Sequence, residues 1–143
     1  SETVLVMSVG KSCCKIYELE DNFEVNMSLN KIINLSCNYF GSSFQGRIEG
    51  SKYYLGDNYK LPFIVDEYRE IIAFPIKSYR DSNNSIILLN QIKDYEKTKD
   101  GIIIYTKNNN KIEIKESFGI FENQYLKSQR LLLKLKRIKN TSI

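Results

Sequence analysis

Histidine and tryptophan are both absent from this chain of 143 residues. Without His, the commonest general base and the commonest zinc ligand are missing together. An ordinary Ser-His-Asp hydrolase is thereby excluded. Cysteine is scarce: Cys13 and Cys14 are adjacent and Cys37 lies far off. Neighbours on a strand point to opposite faces, so the pair reads as small buried residues, with a redox or dimer disulfide as the other reading. An odd, unspaced set of three fits a reducing compartment and no disulfide scaffold. No apolar run approaches the ~18 residues of a membrane span. The opening SETVLVMSVGK lacks a basic n-region, so we expect no signal peptide, no membrane association and a cytoplasmic protein. No group of Cys, Asp and Glu has metal-site spacing, and no cofactor is expected.

Acidic residues are missing from one part of the chain. The net charge of +4 divides into 15 basic and 17 acidic side chains over residues 1–122, and six basic with no acidic ones over residues 123–143. A near-neutral body with a basic end points to a polyanion or an acidic partner. Ile, Lys and Asn are abundant and Arg is rare, a bias toward A/T-rich codons that fits a low-GC bacterial genome.

The length predicts one domain with a real core. Thr3 to Val9, Cys13 to Leu19 and Phe23 to Met27 read as an antiparallel meander with turns at Gly10-Lys11-Ser12 and Asp21-Asn22. Ser28 then caps a helix to about Phe40, with Leu29, Ile32, Ile33, Cys37 and Phe40 on one face and Gly41 as its stop. The segment GSSFQGRIEG (residues 41–50) reads as a loop, followed by Lys52 to Leu55 and a turn at Gly56-Asp57-Asn58. Strands return at Phe63 to Val65, Ile71 to Pro75, Ser85 to Leu89, Ile102 to Thr106 and Ile112 to Lys115, the last two joined by Asn108-Asn109-Asn110. Ser117 caps a long helix to about Lys139, with Phe118, Phe121, Tyr125, Leu132 and Leu135 as its apolar face; Asn140 to Ile143 should fray. The expected fold class is α+β: one antiparallel sheet of about seven or eight short strands, a helix after the meander and a long C-terminal helix.

Several catalytic patterns fail on spacing. Val9-Gly10-Lys11-Ser12 lacks the earlier Gly of a phosphate-binding loop, with Leu5 in its place, and reads as a hairpin turn. The glycines around Ser43 are one residue too far apart for a nucleophile elbow. A Ser-Lys pair has no further support, and Asp66-Glu67 reads as a solvated turn better than as an acid pair. Three features point to a polyanion instead. Lys127, Arg130, Lys134 and Arg137 step by 3, 4 and 3, forming one basic stripe; this is either a phosphate-tracking face or a solvated one. Asn108, Asn109 and Lys111 form a polar hairpin tip, which is either turn chemistry or a groove probe. GSSFQGRIEG is either a structural loop or a close backbone approach with Arg47 as a charged fork. Ten Tyr could stack on bases but mostly suit half-buried packing.

The run from Ser36 to Arg47, SCNYFGSSFQGR, resembles the S-C-x-[FY]-[FY]-G-S-S-[FY]-x-G-R signature of ComK, the competence transcription factor family of Gram-positive bacteria. Gly10-Lys11 with Lys15, Ile16 and Glu18 is similar to the family's early hairpin. Lys60, Pro62, Ile64-Val65-Asp66 and Phe74-Pro75 resemble its K-P-P-I-x-V-D and F-P segment. Ser117-Phe118 with Phe121-Glu122-Asn123-Gln124 resembles its S-[FY]-x-x-F-E-N-Q. Leu61, Asn108-Asn109-Asn110 and Ile86 depart from the family's Pro, N-G turn and frequent Trp. With the sequence reaching only a few residues past the last helix, we expect it to lack the tail by which some members are captured for proteolysis.

The resemblance implies a single ComK-like DNA-binding domain over residues 1–143. It would activate competence genes from A/T-rich promoter boxes, largely through the minor groove, as a dimer or paired dimers. RNA polymerase or other regulators are the further partners. The minor groove separates A·T from G·C and little else, and narrow A-tracts attract Arg and Lys. The expected DNA-contacting residues are Ser42, Ser43, Gln45, Gly46, Arg47, Lys52, Lys60, Asn108, Asn109, Lys111, Lys127, Arg130, Lys134 and Arg137. The rival expectation is a protein-interaction module that sequesters or dimerises with another regulator. No enzyme activity is expected.

Overall fold

The computed structural model describes residues 2–56 and 59–141. The N-terminal meander forms as expected: β1 (Thr3–Gly10), β2 (Cys13–Glu18) and β3 (Asn22–Val25) pair antiparallel. Next come α1 (Leu29–Tyr39), α2 (Phe44–Leu55), β4 (Phe63–Asp66), β5 (Ile71–Pro75) and β6 (Ser85–Leu88). A 3-10 turn at Leu89–Gln91 leads to β7 (Ile92–Lys97), β8 (Ile102–Thr106), β9 (Lys111–Ile114) and α3 (Phe118–Lys139). The fold is α+β with a long C-terminal helix. Among the described residues nine strands divide into two antiparallel sheets, ordered β3-β2-β1-β6-β5-β4 and β7-β8-β9.

Alternation along the strands sets the layers. Leu5, Ile72, Phe74 and Ile87 face one way, packing with Ile102 and Ile104 of β8 and Phe121, Leu131 and Leu135 of α3. Val6, Ile71, Ala73, Ile86 and Leu88 face the other, under Leu29, Ile33 and Cys37 of α1. The large sheet therefore lies between α1 and the layer built from α3 and the small sheet. An apolar cavity of about 440 Å³ lies between α1 and the sheet. No charged side chain lines it, so the charged chemistry lies elsewhere. Ser28 and Ser117 act as the expected N-caps, accepting from the backbone N–H groups of Lys31 and Ile120.

Four expectations need correction. The segment expected as a loop is helical: after Gly41 (φ +81°), Ser43 caps α2 by accepting from Gly46 N–H at 3.0 Å. Gly46 and Gly50 lower helix propensity, but tertiary packing overrides them. Phe44 meets Phe63 and Tyr79 edge-on, Ile48 touches both core clusters, and Ser51 and Leu55 are buried. Second, β7 was not expected; Tyr95 is half-buried between exposed Asp94 and Glu96, so the stretch offers little alternation. Third, the strands form two sheets because, among the described residues, β7 to β9 pair with one another and not with the larger sheet. Fourth, β3 starts one residue before its expected start and ends at Val25, two residues short of Met27, and β9 is displaced by one residue toward the N-terminus at both ends. In the expected turn at 56–58, Gly56 is left-handed (φ +66°) and caps α2; Asp57 and Asn58, like Ser142 and Ile143 of the expected frayed end, lie outside the described residues.

All three cysteines are free; Cys14 and Cys37 are buried, and Cys13 is half-exposed beside Glu24. Burial raises the Cys37 thiol, while the nearby Arg47 charge acts in the opposite direction.

The two sheets meet α3 at Tyr95, whose hydroxyl donates to Glu122 Oε2 at 2.9 Å. Desolvation, then the Glu122 carboxylate, pushes the Tyr95 pKa up to about 12. Because the folded value lies above the unfolded one of ~10, this contribution to stability is complete below pH ~10. It is lost as pH rises through about 12. Tyr95→Phe is therefore expected to make the fall in melting temperature over that window shallower. Parallel melting curves for the two proteins there would assign the alkaline loss to other groups.

Candidate nucleic-acid interface

The helical residues singled out in the sequence gather around α2, α3 and the turn between β4 and β5. At the start of α2, Ser43 is the cap, and Ser42 Oγ donates to the Ser43 carbonyl at 3.4 Å. At Gly46 a Cβ would lie 3.1 Å from Ser43 Oγ, a tight contact that the capping hydroxyl would have to relieve by a shift of a few tenths of an ångström. Gln45 is exposed, with its amide toward Glu49 at 3.4 Å. Arg47, the expected charged fork, is turned inward: its side chain is 12% exposed and its Nη1 lies 2.6 Å from Glu67 Oε1. Lys52 is exposed in the last turn of α2, beside Tyr53, whose ring is exposed.

The β4–β5 turn has its own chemistry. Asp66 is buried, and its Oδ1 accepts from the backbone N–H groups of Tyr68 and Arg69 at 3.0 and 3.4 Å. The turn expected at Asp66-Glu67 forms, but it is solvated only at Glu67, because Asp66 ends β4 and is buried. Glu67 and Glu70 are left pointing toward cations from both helices. Glu70 lies 3.5 Å from Lys136 Nζ and 3.7 Å from Lys139 Nζ. Lys139 Nζ also donates to the carbonyls of Glu67 and Tyr68, at 3.3 and 3.1 Å. Sequence reasoning missed Lys136 and Lys139 because they fall outside the 3-4-3 stripe. The available signal was the acid-rich DEYRE turn at residues 66–70 facing an acid-free helix end.

Along α3, Arg130 and Arg137 are exposed and Lys134 is half-exposed. Among the described residues no ion pair engages these three. Lys127 instead donates to the Tyr59 carbonyl at 2.9 Å. Lys60 adopts a left-handed backbone (φ +47°), and its Nζ donates to the Ile76 carbonyl at 3.2 Å. The hairpin residues lie apart from this group. Asn108 Nδ2 donates to Leu19 O and Glu20 Oε1 at 2.7 and 2.9 Å, tying the small sheet to the β2–β3 turn. Asn109 (φ +66°) accepts from Lys93 at 2.8 Å. Lys111 opens β9 and is exposed.

The family described as ComK protein matches over residues 1–139. This chain belongs to the ComK family. A competence transcription factor of Bacillus subtilis (strain 168) is 32% identical over 126 residues, a match covering 87% of this chain and 66% of that protein. The chain thus spans just under two thirds of the length of that curated relative. No solved structure matches it.

Within this ComK chain, much of the run that carried the resemblance is structural. Cys37 and Phe121 are fully buried, and Phe44 packs on Phe63 and Tyr79. Gln124 is buried and donates to two backbone carbonyls, Lys60 O at 2.7 Å and Pro75 O at 2.9 Å. One amide therefore joins the F-E-N-Q run to the K-x-P and F-P runs.

Proposed function

We propose that this protein is a transcription activator of competence genes that binds double-stranded, A/T-rich DNA through the minor groove as a dimer or paired dimers. The observation carrying the reading is the row Arg130, Lys134 and Arg137. It is accessible and free of ion pairs among the described residues, in a ComK-family chain whose residues 123–143 include no acid. A cationic row on one helix face suits phosphates, whose neutralisation releases counterions and makes affinity fall with salt. The start of α2, with Ser42, Ser43, Gln45 and Gly46, brings backbone close to the duplex. Arg47 and Lys52 add charge to that approach beside the groove, where narrow A-tracts concentrate negative potential; Arg47, held inward against Glu67, has to leave that carboxylate to reach the duplex. Lys60 and Lys127 lie at the margins, whereas Lys111 belongs to the separate hairpin that Asn108 and Asn109 chiefly serve to seat.

Titrating A/T-rich and G/C-rich duplexes at several salt concentrations tests the reading. The expected result is tighter binding to A/T-rich duplexes with a steep salt slope; equal, salt-insensitive binding would overturn it. Lys134→Ala is expected to weaken binding on every sequence and to flatten the log–log salt slope by about 0.9. An unaltered slope would place Lys134 outside the DNA contact.

A second reading is favoured by Leu126 and Leu133, which are 56% and 48% exposed and alternate with Arg130 and Arg137 on α3. Such a ridge suits an acidic amphipathic helix of another regulator. Absence of DNA binding near physiological salt would favour this protein-interaction module.

A further inference from the structure

The geometry points to the β4–β5 turn as an internal stand-in for the DNA backbone: Glu67 and Glu70 hold Arg47, Lys136 and Lys139 as a reserve phosphate site that a duplex takes over by exchange. This rests on the DNA-binding reading above and adds two lysines and two carboxylates to it. The turn presents two carboxylates and two carbonyl oxygens to cations from α2 and α3, much as a strand of phosphates would. Glu67 meets Arg47 at 2.6 Å, Glu70 meets Lys136 and Lys139 at 3.5 and 3.7 Å, and the Glu67 and Tyr68 carbonyls take further hydrogen bonds from Lys139.

Two features make this an exchange site rather than a fixed brace. First, the carboxylate side is open to water at Glu67, while Glu70 is 28% exposed. Glu67 is 63% exposed, and ion pairs with one solvated partner are weak and screened by salt. A duplex with a high density of charge can displace such a partner at little cost. Second, the guanidinium is incompletely used. Arg has five N–H donors; Nη1 is engaged by Glu67, while the buried Nε has no hydrogen-bond partner among the described residues. A phosphate can accept two parallel bonds from such a fork, which the single contact to Glu67 does not supply. The exchange would couple the two helices, because the same turn holds α2 through Arg47 and the end of α3 through Lys136 and Lys139.

The test is a titration of one A/T-rich duplex at several salt concentrations, using full chains whose melting curves are recorded in parallel. Glu67→Gln and Glu70→Gln are each expected to tighten binding about 3–10-fold at low salt, with the gain shrinking as salt screens the ion pairs of the unmodified protein. Glu113→Gln, an equal charge change on β9, controls for net charge and is expected to produce a smaller gain. Arg47→Gln is expected to weaken binding and flatten the salt slope by about 0.9. In that background Glu67→Gln should add no more than the Glu113→Gln control. If Arg47→Gln proves too unstable, Lys136→Gln with and without Glu70→Gln completes the same cycle on the other half of the site. The proposal is overturned if the turn variants gain no more than Glu113→Gln, or if Glu67→Gln gains as much without Arg47 as with it. Those results leave the DNA-binding reading intact when the unmodified protein binds with a steep salt slope. Failure of every protein to bind overturns both.

Discussion

Phe121→Ala is expected to lower the free energy of unfolding by roughly 3–5 kcal/mol, the range for deleting a buried aromatic ring. Phe121 is fully buried where three units meet. Its ring is 5.8 Å from Phe74 on β5, 5.0 Å from Tyr95 on β7 and 6.2 Å from Tyr125 one turn further along α3. The loss has two parts. Transfer of the ring from water is forfeited, and neighbours fixed to two different sheets cannot collapse into the space. Domains of this size have only about 5–15 kcal/mol in total, so much of the margin would disappear. Chemical denaturation of the two proteins measures it as a shift in midpoint at constant slope. A loss below about 1 kcal/mol would mean that the ring is not the joint between the sheets. Leu133→Ala on the same helix is the useful contrast: the side chain is 48% exposed and its removal should change stability by less than about 0.5 kcal/mol.

The contrast between Phe121 and Arg47 shows where the sequence was legible. Strong period-2 or period-3.6 patterns with clear caps were readable: the meander, α1 behind Ser28, the Ile71–Pro75 and Ile102–Thr106 strands and α3 behind Ser117 all form as expected. The pattern failed where tertiary contacts outweighed local preference. Two glycines inside α2 suggested a loop, yet Phe44, Ile48 and Leu55 fix a helix by packing across the β4 edge. The charged strand IKDYEK at 92–97 has one inward-facing ring, Tyr95, and depends on β8 for its pairing. The site was legible in residue type and less so in use. Positive charge on α3 could be counted, but the ion pair of Arg47 with Glu67, 20 residues away in sequence, could not. For Asn108 the sequence leaves turn chemistry and a groove probe open, because nothing local indicates that its amide reaches Leu19, 89 residues earlier.

Gln124→Leu is expected to cost about 2–4 kcal/mol, although it trades a polar buried side chain for an apolar one of similar size. The Gln124 amide gives one proton to Lys60 O and the other to Pro75 O, and it is only 2% exposed. Leucine supplies neither proton, so two carbonyls lose a buried donor at about 1–3 kcal/mol each, with some recovery by local relaxation. Gln124→Glu separates hydrogen bonding from packing. Its carboxylate would face two carbonyl oxygens, so burial and repulsion hold the acid protonated to higher pH than usual. The protonated acid restores one donor. With the folded pKa above the unfolded value, that stability is present at low pH and disappears as pH rises through the folded value. Gln124→Glu should thus be more stable at about pH 4 than at pH 7 relative to the unmodified protein, whereas Gln124→Leu should show no such recovery; equal behaviour of the two would mean that the amide is not the clamp. The consequence reaches DNA binding because the clamp seats α3 on the strands. Loosening it should weaken affinity without flattening the salt slope, since the cations of the α3 row remain. That separates a side chain positioning the basic helix from a lysine contacting phosphate, for which the slope itself falls.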